Sequence, residues 1–156
     1  MLRIALIGGG NHSRRFHLPA LTRYIEACPD AVELSAFCDL QPEVAESTAQ
    51  EFGFAKVYTD IDTMLAAEKL DGCIAVTPVS ATAAVATRLI DAGVPVLLEK
   101  PPGATVAEAK ALAEHATAHD AKAMVSVNRR FDPALLAAQE WSEGRPIETL
   151  RAFMYR

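Results

Sequence analysis

Apolar residues fall along this chain in short, near-continuous runs rather than in polar–apolar alternation. Leu2–Ile7, Cys73–Val76, Val94–Leu98 and Met124–Val127 are each of strand length with little polar interruption. That is the pattern of strands covered on both faces, as in a parallel sheet. Two weaker runs, Val32–Cys38 and Ala55–Tyr58, lie between the first two. Helical periodicity separates them all. Pro42 suits a first helical position, Val44, Ala45, Thr48, Ala49 and Phe52 form one face, and Gly53 ends the helix. Ser80 reads as the cap of a helix with Val85, Leu89 and Ile90 inward and Gly93 as its stop. Thr105 and Glu108 form a capping box ahead of Ala109, Leu112, Ala113 and Ala116. Strands alternating with helices predict an α/β fold, a doubly wound parallel sheet of order 3-2-1-4-5-6 with helices on both faces.

The stretch after Val127 departs from this rhythm. Asp132 and Pro133 read as the cap and first residue of a further helix, running through Leu135, Leu136 and Trp141 to Gly144. Ile147–Arg156 then carries strand-type residues with no obvious partner in the sheet. It is read as the opening strand of a second α/β domain, with a seventh strand on the sheet edge as the alternative. The expected organisation is a sheet domain over 1–127 and, over 128–156, a crossover helix and first strand of a truncated C-terminal domain.

Composition narrows the function classes. The 156 residues are 51% hydrophobic and 22% charged, which excludes a disordered chain. Lys plus Arg number 15 against 20 Asp plus Glu, a formal charge of -5. That balance argues against nucleic acid and against a polybasic membrane-surface role. The apolar runs all fall short of the roughly 18 residues a membrane helix requires. Cys28, Cys38 and Cys73 are odd in number and widely spaced, unlike a disulfide framework or a CxxC zinc site, so a cytoplasmic location is expected.

Candidate chemistry begins directly after the first strand. Gly8-Gly9-Gly10-Asn11-His12-Ser13 matches G-x-G-x-x-G, with Ser13 in the third glycine's place. The glycine at 8 permits a tight turn, and the one at 10 lets backbone approach a diphosphate held on helix N-terminal amides. Strand, glycine turn and helix together read as the Rossmann dinucleotide fingerprint, a merely tight turn being the alternative. His12 stands beside that loop, and His17 is read as a packing or capping residue. Pro19 predicts a helix break near Phe16–Leu18. Asp39 ends the second strand, where the fingerprint places an acid for the adenosine ribose; a helix cap for Pro42 onward is the alternative. A carboxylate repels a 2′-phosphate, so NAD is favoured, while Arg14 and Arg15 leave NADP open. Glu99-Lys100 closes the fifth strand and Thr77-Pro78 the fourth, at the strand ends where ligands of open α/β sheets bind. A lysine there suits a substrate hydroxyl or carbonyl, a surface ion pair being the alternative. His115 and His119 lie four apart on a helix, but the sequence supplies no third ligand at a metal-site spacing, so no metal is expected.

Taken together, Ile7–Gly10, His17-Leu18-Pro19-Ala20-Leu21, Cys38-Asp39, Val76-Thr77-Pro78, Ala92–Pro101 and Val127–Pro133 resemble the N-terminal half of the Gfo/Idh/MocA oxidoreductases. The resemblance implies hydride transfer between a nicotinamide and a carbinol carbon of a small polyol or sugar-like substrate. It implies Lys100 and Glu99 as catalytic residues, Lys100 on the substrate oxygen and Glu99 orienting Lys100. It also implies Gly8, Gly10, Asn11, His12, Asp39, Thr77, Pro78, Glu99 and Lys100 as cofactor-binding residues. A cis Lys100–Pro101 peptide follows from it as well. Many members carry His shortly after the Thr-Pro pair, where this chain has Thr82. The substrate-binding second domain is expected beyond Arg156, so the chain alone should bind NAD and turn over slowly or not at all. A non-catalytic dinucleotide-binding redox sensor or partner subunit is the competing class, and a homo-oligomer is left open.

Overall fold

A computed structural model of the chain describes residues 1–149 and 151. The chain divides into two compact units, Met1–Ser126 and Val127–Arg156. In the first, β1 (Leu2–Ile7), β2 (Val32–Cys38), β3 (Lys56–Tyr58), β4 (Gly72–Ala75), β5 (Val96–Glu99) and β6 (Ala123–Ser126) form one sheet. Among the described residues it has six strands, ordered β3-β2-β1-β4-β5-β6 and parallel throughout. This is the doubly wound arrangement the apolar runs predict. Neighbouring strands β1 and β4 belong to opposite halves of the winding, so their carboxyl ends open a crevice between them.

The helices are α1 (Leu18–Ala27), α2 (Pro42–Phe52), α3 (Ile61–Ala67), α4 (Val79–Asp91) and α5 (Val106–Ala118). They divide the core in two. Leu6, Leu34 and Phe37 pack with Leu18, Ala45 and Ala49 on one side. Ala5, Ala75, Val96 and Leu98 pack with Met64, Ala86, Leu89 and Leu112 on the other. Local signals act largely as expected. Pro42 opens α2, and Gly53 closes it at φ 79°. Thr105 Oγ1 accepts from Glu108 N at 3.2 Å, while Glu108 Oε2 accepts from Ala104 N at 2.9 Å. Two expectations are corrected. Ser80 does not cap α4: the helix starts at Val79, with Pro78 as its cap, two residues earlier. Pro19 does not break the first helix. The backbone stays right-handed from Asn11, passes through a π-helical turn at Ser13–His17, and continues into α1. Leu18 N bonds back to Ser13 O, five residues away. The wider turn relieves the clash between the Pro19 ring and the preceding turn, which also lacks the Pro19 N–H bond.

In the second unit, a 3-10 turn at Asn128–Phe131 leads to α6 (Pro133–Ser142), capped by Asp132, whose Oδ1 accepts from Ala134 N at 2.9 Å. The strand expected over Ile147–Arg156 is not formed at Ile147, Glu148, Thr149 or Arg151. The other residues of that stretch lie outside the described residues. Among the described residues, no helix is long and apolar enough to cross a membrane.

Candidate dinucleotide site

The carboxyl ends of β1, β2, β4 and β5 enclose a cleft of about 850 Å³, within the usual range of small-molecule sites. Gly8, Gly10, Asn11, His12, Asp39, Thr77, Pro78, Glu99 and Lys100 all line it. Residues as far apart in the chain as Gly8 and Lys100 therefore meet because parallel winding returns every strand end to one edge of the sheet.

The glycine turn is built from three different requirements. Gly8 sits at φ +97°, and a Cβ there would lie 2.1 Å from Val76 O. The β1 turn thus passes so close to the end of β4 that only glycine fits. Gly9 occupies a position the G-x-G-x-x-G pattern leaves free, yet a Cβ there would lie 2.5 Å from Val44 Cγ1 and 3.3 Å from Phe37. Gly10 differs: a Cβ would meet nothing within 4 Å. Protein packing does not demand glycine at 10, and the missing side chain leaves the cleft clear beside the helix that begins at Asn11. Arg14 N donates to Gly10 O at 3.1 Å as the first turn closes, so the amides of Asn11 and His12 precede the intrahelical ladder. Ser13 is fully buried, and its Oγ has no hydrogen-bond partner among the described residues.

Asp39 grips this turn. Its Oδ2 accepts from Gly9 N at 2.7 Å and its Oδ1 from Gln41 N at 2.9 Å. It is not the cap of α2, which is Gln41. Two of about four acceptor positions on the carboxylate are used, leaving two for a ligand. Cys38 also lines the cleft, but burial, then the charges of Asp60 and Asp39, push its thiol up to about 11. It stays protonated at neutral pH.

At the other end of the cleft Glu99 is the centre of a polar cluster and only 9% exposed. Its Oε1 accepts from His17 Nε2 at 2.9 Å and lies 3.3 Å from His12 Nε2. Its Oε2 accepts from Lys100 N at 3.1 Å. Burial raises the carboxyl pKa. Hydrogen bonds from His17 and Ser126 and the nearby His12 and His17 imidazoles outweigh it, so the net displacement is below the usual carboxylate range. Glu99 therefore holds Lys100 through the main chain, and the Lys100 ammonium makes no ion pair among the described residues. The Lys100–Pro101 peptide is cis. His17, expected to pack or cap, instead supplies the main side-chain bond to Glu99. The signal for it lay in the His17-Leu18-Pro19 stretch, whose π-helical turn brings the ring to the end of β5. Thr77 Oγ1 lies 3.2 Å from Thr82 Oγ1, so the residue standing in for histidine is buried and bonded to the cleft wall.

A family model described as "Oxidoreductase family, NAD-binding Rossmann fold" matches residues 2–128. The chain belongs to the Gfo/Idh/MocA oxidoreductase family. Among its Gfo/Idh/MocA relatives, the D-apiose dehydrogenase of Paraburkholderia graminis is 33% identical over 133 residues, 85% of this chain and 34% of that protein. The crystal structure of myo-inositol 2-dehydrogenase from Lactobacillus plantarum superimposes with a TM-score of 0.79 at 28% identity, covering 89% of this chain and 40% of that one. A dehydrogenase from Chromobacterium violaceum, solved with NADH and UDP-GlcNAcA, gives 0.78 at 25% identity, covering 92% and 41%. The chain spans less than half the length of each of these relatives. The fold implies a dinucleotide, and the residues fit one: clear space over Gly10, unpaired first-turn amides and an Asp39 carboxylate with acceptor capacity to spare.

Proposed function

We propose that residues 1–127 hold NAD in this cleft and that Lys100 serves an oxidoreductase acting on a CH–OH group of a sugar, cyclitol or similar polyol. The observation that carries the reading is the meeting of the Asn11 and His12 amides, the Asp39 carboxylate and the Lys100 side chain on one cleft at the β1/β4 crossing. The amides, with Gly8 and Gly10 at the turn, bind the diphosphate, and Asp39 binds the adenosine ribose hydroxyls. Thr77 and Pro78 border the nicotinamide ribose. When bound, the nicotinamide supplies a hydride acceptor or donor at its C4. Lys100 hydrogen-bonds the substrate oxygen and holds or releases its proton. Glu99 fixes the Lys100 main chain, and His12 closes the polar cluster beside it. The names of the relatives, D-apiose and inositol dehydrogenases among them, support a polyol-like substrate.

NAD is preferred over NADP. The Asp39 charge opposes a 2′-phosphate, and Arg14, one of the two arginines that left NADP open, is committed to Thr48 and Glu51. Residues 128–156 begin the passage to a second domain that holds the substrate. Hydride transfer needs that substrate fixed against the cofactor, so residues 1–127 by themselves bind cofactor without turnover.

Isothermal titration of the chain with NAD and NADP tests the reading. NAD is expected to bind, NADP to bind more weakly, and Asp39→Ala to lose roughly 1–3 kcal/mol of NAD affinity, the scale of hydrogen bonds to a charged group. Wild-type chain that takes up neither dinucleotide would overturn the proposal, and unchanged affinity in Asp39→Ala would remove Asp39 from the site.

A further inference from the structure

A second cluster of ligating side chains lies away from the cleft. Helices of a parallel α/β unit run from the carboxyl edge of the sheet back to its amino edge. The C-terminal ends of α4 and α5 therefore lie at the edge opposite the dinucleotide cleft. Asp91 is the last residue of α4, His115 lies in the last turn of α5, and His119 is its C-terminal cap. The one ligand that spacing along the sequence could not supply comes from the neighbouring helix. His115 Nε2 lies 2.7 Å from Asp91 Oδ1, and His119 Nε2 lies 3.8 Å from the same oxygen. The three ligand atoms lie within 4.8 Å of one another.

The tautomer of His119 decides what this cluster is built for. Its Nδ1 donates to His115 O at 2.9 Å. In that tautomer of the neutral ring Nε2 is free to ligate, and it lies 3.8 Å from Asp91 Oδ1, too far to be its hydrogen-bond partner. The Nδ1–H bond is of the kind that orients metal-ligating histidines. His115 Nε2 donates to the same carboxylate oxygen at 2.7 Å, so an ion takes the place of that hydrogen bond and releases its proton. Ligands around a tetrahedral Zn²⁺ at roughly 2.0–2.1 Å stand a little over 3 Å apart, between the 2.7 and 3.8 Å at which the two imidazole nitrogens lie from Asp91 Oδ1. Two imidazoles and one carboxylate suit Zn²⁺ and similar first-row ions rather than Mg²⁺ or Ca²⁺, which take oxygen-rich shells. All three side chains are partly exposed, which leaves a fourth position for water.

We propose that Asp91, His115 and His119 bind a divalent transition-metal ion, Zn²⁺ being the best chemical match, and so clamp the end of α4 to the end of α5. A second trio, His12, His17 and Glu99, also brings its ligand atoms together. It lies at the proposed dinucleotide site, so the test separates the two trios.

Chelator-treated chain is titrated with Zn²⁺ by calorimetry, and its melting temperature is followed with and without the ion. One equivalent is expected to bind and raise the melting temperature, since an ion that binds only the folded state stabilises it. His119→Ala and Asp91→Asn are each expected to weaken binding at least about tenfold, the scale on which metal sites respond to changes in their shells. His12→Ala is expected to leave binding unchanged. No uptake of Zn²⁺, uptake that His119→Ala does not weaken, or uptake that His12→Ala abolishes would each overturn the proposal. None of these readouts depends on NAD binding or on turnover.

Discussion

His17 donates its Nε2–H to Glu99 Oε1 at 2.9 Å, tying the π-helical turn to the end of β5 across 82 positions of chain. The acceptor is a carboxylate held below its ordinary pKa, so the imidazole nitrogen must be the donor. A hydrogen bond to a largely buried charge contributes about 1.5–3 kcal/mol. His17→Ala is expected to lower stability by about 2 kcal/mol, seen as a lower urea midpoint at unchanged slope. The Glu99 pKa should rise in the same variant. An unmoved midpoint would mean that His12 and Ser126 hold Glu99 unaided.

The glycines of the turn separate fold from ligand. Gly8→Ala forces a Cβ against Val76 O at a positive φ and is expected to cost about 3 kcal/mol or more. Gly10→Ala meets no protein atom within 4 Å and should shift stability by no more than about 0.5 kcal/mol. The same Gly10→Ala variant is expected to lose NAD affinity, because its methyl occupies the approach to the first-turn amides. Thermal melts and NAD titrations of the two variants distinguish these effects.

Ser13 stands in the third glycine's place with a fully buried hydroxyl that has no partner among the described residues. Removing an unsatisfied buried polar group while keeping the Cβ should stabilise the chain by about 1 kcal/mol. Ser13→Ala is therefore expected to raise the melting temperature by about 2–4 °C. A lower melting temperature would show that the hydroxyl has a partner in solution.

Glu68 joins three elements at the edge of the sheet. Its side chain is 1% exposed and accepts from Tyr58 at 2.5 Å, Arg3 at 2.8 Å and Lys56 at 2.9 Å. The Tyr58 hydrogen bond, then Lys56 and Arg3, hold its carboxyl below the usual range. A lowered folded pKa means the network acts in full above the unfolded value, about 4.3 for glutamate, and is lost as pH falls through the folded value. Lys56 and Tyr58 are both raised, chiefly by Glu68, so their share is lost in turn as pH rises through their folded values. Melting temperatures against pH should show wild type above Glu68→Gln at neutral pH, with the gap closing on the acid side.

Strands β1, β4 and β5 were legible because burial on both faces leaves a near-continuous apolar run; β2 and β3 gave weaker runs and β6 carries its run at an exposed edge, yet six in this order admit few windings. Pro42 with Gly53, and Thr105 with Glu108, marked helix ends because capping chemistry acts within one turn. What escaped the sequence depends on groups that meet only after folding. His17 finds Glu99, and Asp91 finds His115 and His119, through contacts with no fixed spacing along the chain. Gly9 escaped because the fingerprint leaves its position free, while in this chain Val44 and Phe37 do not. Pro19 predicted a break because propensity has no term for a widened turn that absorbs the ring. The roles of Lys100, Thr77 and Pro78 came from resemblance, since a lysine or a Thr-Pro pair at a strand end has many other uses.

The loop between β1 and the first helix is fastened on three sides before any ligand arrives. Gly8 N bonds Cys38 O at 2.8 Å, Gly9 N bonds Asp39, and the Gly8 Cα rests against the Val76 carbonyl. A receptor moulded in advance has little conformational freedom left to surrender, so association should proceed in a single fast phase, without a slow rearrangement behind it. Crystals of the empty protein should accordingly take up the dinucleotide by soaking while keeping their lattice.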